Sequence, residues 1–169
     1  GMLRSSLRNK IIHQRAKMLM AFAILLAALI TVGDLAIAAL YDQRYIEATW
    51  MMPILCSGIW FSILFFTISP VLLAIGKPLY SAQSNLTRFV MIGIGLPLAF
   101  QKFGILGAII IIALSDLPLY IVNLYGLWRE KLFCFVQDVQ ATLFFMGIVT
   151  IFLMIRYYLG YGLPIDTLI

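Results

Sequence analysis

Charge is what this sequence lacks most. Only 11% of its 169 residues are Asp, Glu, Lys or Arg, where a soluble domain carries about a quarter. So few charges cannot cover a water-facing surface of this size, which excludes an ordinary soluble enzyme. Histidine is nearly absent as well. His13 stands alone in a basic stretch, so no Ser/His/Asp set can form and a solvated interfacial residue is the expected role. The two cysteines, Cys56 and Cys134, lie in or beside apolar segments without a CxxC spacing, and metal or redox chemistry has no support. No phosphate-cradling loop of the P-loop type is present. The net charge of +5 does not indicate nucleic acid, because the basic residues sit at the ends of apolar runs.

What is present is apolar sequence. Hydrophobic residues make up 63% of the chain and the mean hydropathy is +1.04. A helix needs about 20 mostly apolar residues to cross the hydrocarbon core. A β-sheet with an open edge would leave unpaired N–H and C=O groups in lipid. The expected fold is therefore all-α: a polytopic helical membrane bundle with about five transmembrane helices, near residues 18–41, 50–75, 86–100, 105–127 and 141–159. Residues 1–17 read as a cytoplasmic basic segment and 161–169 as a short outer tail. Leu132 to Gln140 is mixed in character and reads as an interfacial helix.

Orientation follows from the basic residues. With the N-terminus inside, the inner segments hold Arg4, Arg8, Lys10, Arg15, Lys17, Lys77, Arg88, Arg129 and Lys131. The outer ones hold only Arg44, Lys102 and Arg156. That bias predicts a cytoplasmic N-terminus and an outer C-terminus. The sequon at Asn85-Leu86-Thr87 then falls on the inner side, where it would go unused.

Two spans are interrupted. Gly93, Gly95 and Pro97 break the third, and Ser115-Asp116-Leu117-Pro118 sits in the middle of the fourth. Discontinuous helices of this kind often meet at the central site of a transporter. Asp116 lies near mid-membrane, where an acid is costly and is a functional candidate by default. Asp34, about two turns from the outer end of the first span, is the second transport or ion-coupling candidate, although it can also snorkel to the interface. Lys77 and Arg88 are candidates for a lipid headgroup, or simply topology determinants. No catalytic residue, metal site or cofactor is expected.

The stretch Leu40-Tyr41-Asp42-Gln43-Arg44-Tyr45-Ile46-Glu47-Ala48 leads into Trp50-Met51-Met52-Pro53-Ile54-Leu55. Then follow Leu73-Ala74-Ile75-Gly76-Lys77-Pro78 and Phe103-Gly104-Ile105-Leu106-Gly107-Ala108. In order and spacing, from about Leu40 to Ala108, this series resembles the bacterial oligosaccharide (O-antigen type) flippases of the multidrug/oligosaccharidyl-lipid/polysaccharide exporter superfamily. The resemblance implies a polysaccharide-biosynthesis protein of the bacterial inner membrane that moves undecaprenyl-diphosphate-linked glycan between leaflets. Members of that family have about twelve to fourteen helices in two similar halves. This chain would be the C-terminal part, about half of an exporter-type fold. Its implied partners are membrane lipid, lipid-linked oligosaccharide, and the N-terminal half of the exporter or a second copy, with no nucleic acid. The main alternative is a non-transporting membrane assembly or structural subunit. A membrane-embedded polymerase or acyltransferase fits poorly, because the outer loops are short and carry only Arg44 and Lys102 as bases.

Overall fold

The computed structural model describes residues 2–41, 43–132 and 134–164, with side chains described from Ile12 onward except those of Gln43 and Ile46. The side chains of Arg4, Arg8 and Lys10, and residues 165–169 of the expected tail, lie outside that description. The described chain is helical throughout its regular elements: α1 (Met2–Leu40), α2 (Ile46–Ala74), α3 (Pro78–Val90), α4 (Leu96–Leu114), α5 (Leu117–Arg129) and α6 (Phe135–Tyr158). A short 3-10 turn, Gln43–Tyr45, precedes α2, and a π-helical segment, Met91–Gly95, joins α3 to α4. Four helical stretches are long and apolar enough to cross a membrane: Ile12–Leu40, Glu47–Ala74, Pro78–Arg129 and Phe135–Tyr158. The protein is a multi-pass helical membrane bundle.

The third of these stretches spans 52 residues, and it doubles back on itself. Gly104 has φ 62° and ψ −146°, a reversal within α4 that a side chain would resist. The two arms then run antiparallel. Gly107 packs on Ala99, Gly95 faces Ile111, Arg88 meets Asp116 and Gly126 packs on Tyr80. As one arm advances, its neighbour retreats. An independent relationship agrees. Ile12 and Gln137 touch across 125 residues and Asp34 and Arg156 across 122, so α1 and α6 run parallel at nearly constant offset. Parallel first and last helices require an even number of reversals between them, which the hairpin supplies.

Boundaries differ from the sequence-based expectation at three places. Helix α1 begins at Met2, so the basic stretch expected as a separate segment continues into the first span. The third span begins at Pro78, not at 86. Pro78 sits at a helix start, where its missing N–H costs nothing, and Ser81, Ser84 and Arg88 recur at helical spacing as buried or half-buried residues. Leu132 to Gln140 does not form an interfacial helix of its own. From Phe135 it is the first part of α6, because Gln137 and Asp138 find partners inside the bundle. Pro53 and Pro70 stand within α2 without dividing it.

The core gathers around α2. Trp60, Leu64, Phe65, Ile68 and Leu72 pack with Leu19, Ala23, Leu26 and Ile30 of α1, Leu119 and Leu127 of α5, and Phe145 of α6. The Trp60 and Phe145 rings stack at 4.5 Å, and the Trp60 indole N–H donates to Thr142 at 3.0 Å. Gly58 permits a close helix approach. A Cβ there would run into the backbone of Ala113, so α2 and α4 touch main chain to main chain. By contrast, α6 and the tip of the hairpin present large apolar side chains outward, among them Leu143, Met146, Met154, Leu98, Phe100 and Phe103. That distribution suits a lipid surround.

Candidate functional site: a mid-depth ion pair beside a cleft

Among the described residues, the ion pairs inside the bundle form three clusters stacked along its length. The middle one forms where the second arm of the hairpin breaks. Pro118 lacks the N–H that a continuing helix would use, and the chain turns at Ser115 and Asp116 before α5 begins. Ser115 satisfies itself locally, its hydroxyl donating to the Ile112 carbonyl at 2.8 Å. Asp116 is left at the N-terminus of α5, where the helix dipole favours a negative charge. Its carboxylate accepts a hydrogen bond from the Ser62 hydroxyl of α2 and faces Arg88 Nε of α3 at 3.2 Å.

Arg88 and Asp116 are incompletely enclosed, with 42% and 16% of their side chains accessible. Arg88 lies ten residues into its helix, ~15 Å from the start at 1.5 Å per residue, about half of a hydrocarbon core. Beside the pair, between α2, α3 and α5, is a cleft of about 420 Å³. Its walls carry Ser69, Ser81, Asn85, Arg88 and Asp116 among Phe65, Phe66, Leu73 and Leu119. Among the described residues Asp116 is the sole ion-pair partner of Arg88. The guanidinium's remaining N–H groups are available to an anion entering the cleft.

The other two clusters are closed. Toward the start of α1, Arg15 pairs with Asp138 of α6 at 2.6 Å, with 3% and 2% of the side chains accessible. Arg15 Nε donates to Thr67 of α2 and the Tyr120 hydroxyl of α5 donates to Asp138, each at 2.8 Å. One buried pair thus joins four helices. Toward the end of α1, Arg156 of α6 grips Asp34 through two bonds of 2.5 and 2.6 Å. It also donates to the carbonyls of Thr31, Tyr161 and Gly162. A carboxylate held by both its oxygens, against a guanidinium saturated by carbonyls, leaves little to offer a ligand.

Of the residues singled out from sequence, the structure brings Asp116 and Arg88 together. It holds Asp34 apart, near the opposite end of its helix from Arg15, in a pair with Arg156. It sets Lys77 against Glu130 at 3.5 Å, joining the connectors that enter and leave the hairpin. Sequence reasoning missed Arg15, Asp138, Tyr120, Arg156 and Ser62. For Asp34 and Arg156 a signal existed: each lies inside an apolar stretch at the same end of the bundle, once the spans are taken as parallel. Among the described residues no group of three His, Cys, Asp or Glu side chains is placed to hold a metal ion. Comparison with known proteins gives no relative: no family model, no curated protein and no solved structure matches this chain.

Proposed function

We propose that this chain is the C-terminal part of a flippase for lipid-linked oligosaccharide, working in the bacterial inner membrane with its N-terminus in the cytoplasm. The observation that supports the reading is the pair of Arg88 and Asp116, partly accessible at mid-depth beside a cleft of mixed polar and apolar lining between helices. Ionisable groups at that depth are candidates for a transport pathway, and this pair, unlike the two closed ones, opens onto a cleft. A headgroup bearing phosphates that crosses the bilayer passes this level and needs a cation there. The apolar walls of the same cleft suit the lipid part. On this reading the protein is a transporter and not an enzyme. Its cavity is completed by the N-terminal half of the exporter or by a second copy.

A non-transporting assembly subunit is the second reading. The two closed ion clusters and the main-chain contact at Gly58 favour it, since they hold helices together and need no ligand. Complementation separates the two. A flippase-deficient bacterium would receive this chain alone, or the chain joined to an exporter's N-terminal half, and surface glycan would be measured. Restoration by either supports transport. Membrane insertion of both without any surface glycan contradicts it.

A further inference from the structure

Both arms of the hairpin are broken, at positions about one helical turn apart. In the first arm, the α-helical pattern gives way to five π-helical residues, Met91–Gly95, followed by Pro97. In the second, it gives way at Ser115 and Asp116. The breaks are adjacent but offset: Gly95, in the π segment, lies against Ile111, four residues before the second break, and Arg88, three residues before the π segment, meets Asp116. A π segment inside an α-helix is rare and frequently lies at a functional position. Together the two breaks mark an oblique line across the hairpin where the regular α-helical pattern is interrupted in both arms.

The regions on either side of this line are packed differently. In the base, Ser84, Leu119, Tyr120, Asn123 and Leu127 are buried. In the tip, α4, only Gly107, Ile109 and Ala113 are buried, and Leu98, Phe100, Phe103 and Ile105 face outward. No tight side-chain packing holds the π segment. A Cβ on Gly93 would meet nothing within 4 Å, and one on Gly95 would make only an ordinary contact with Ile111. Close packing therefore does not require these two glycines. What they supply is flexibility, about 1 kcal/mol of lost helix preference each relative to alanine.

We infer that the tip of the hairpin, residues 96–112, moves as a lever about a hinge formed by Met91–Gly95 in one arm and by Ala113–Asp116 in the other, with Ala113 held against Gly58 of α2 at the pivot. The Arg88–Asp116–Ser62 contact is its catch. It ties both arms to α2 just at the hinge line, so loss of the contact frees the lever. The inference does not depend on what the protein carries, and it stands or falls separately from the glycan assay above.

Hydrogen–deuterium exchange of the full chain in lipid nanodiscs tests it. In the wild type, amides of 91–96 and of 114–117 exchange at least tenfold faster than those of 82–88 and 119–126. Gly93→Ala with Gly95→Ala slows exchange in 91–96 at least tenfold, and does so without loss of thermal stability. Asp116→Asn speeds exchange at both breaks together. Exchange at the breaks no faster than in the flanking helices overturns the inference, as does a response confined to one arm. The wild-type comparison alone decides the matter if a variant fails to fold.

Discussion

Arg156 and Asp34 close one end of the bundle as Arg15 and Asp138 close the other, and both pairs join the same two helices, α1 and α6. Because the offset between partners is nearly the same at each end, the two pairs hold α1 and α6 parallel and in register. Removing one partner leaves an uncompensated buried charge, which costs about 3–5 kcal/mol. Arg156→Met is expected to lower the thermal midpoint in detergent strongly. Asp34→Leu combined with Arg156→Met is expected to recover most of the loss, since an apolar pair replaces the ionic one. Equal loss in the single and double variants would show that the pair is not the source of the effect.

Tyr120 is the hairpin's hydrogen bond to α6, through Asp138. Tyr120→Phe keeps the ring and removes only the donor to a charged acceptor, an interaction of about 1.5–3 kcal/mol. Thermal unfolding should register a loss of that order. Asp138→Asn should cost more, because Arg15 is then left buried without its counter-charge.

Gly58→Ala should destabilise by about 1–3 kcal/mol, because the added methyl meets the Ala113 backbone and the helices must part. Gly147→Ala, where a Cβ has open space, should be neutral or slightly stabilising. Thermal midpoints of the two variants side by side check the prediction.

The doubled-back hairpin has a topological consequence. Lys102 at its tip and Lys131 beyond its base belong on opposite sides of the membrane. Single cysteines at these positions, with Cys56 and Cys134 replaced by alanine, should react with an impermeant thiol reagent from opposite faces. Labelling of both from the same face would mean that Pro78–Arg129 does not reverse at Gly104.

Much of the fold was legible in the sequence, because apolar length and charge spacing are local signals. The helical membrane bundle follows from them directly, and the interruptions near Gly95 and Asp116 follow from the glycines and prolines beside them. Helix ends were less legible. The polar residues Ser81, Ser84 and Arg88 look like a loop until their partners across the bundle are known, and the same holds for Gln137 and Asp138. The candidate site was half legible. Asp116 and Arg88 each stood out singly, but nothing in linear sequence places Ser62 beside them. Arg15 and Arg156 read as interfacial charges because their acids are 123 and 122 residues away. Pairing at that distance is set by tertiary packing.

The most direct test of the transport reading is surface glycan in a flippase-deficient bacterium complemented with the two-half protein carrying Asp116→Asn, compared with the unaltered protein and with Arg88→Gln. Both substitutions leave side chains of similar size and should leave the amount of protein in the membrane unchanged. The account predicts at least a tenfold fall in surface glycan for each. Full surface glycan in both variants at normal membrane levels would contradict it, and would leave the mid-depth ion pair a structural contact like those of Asp34 and Asp138.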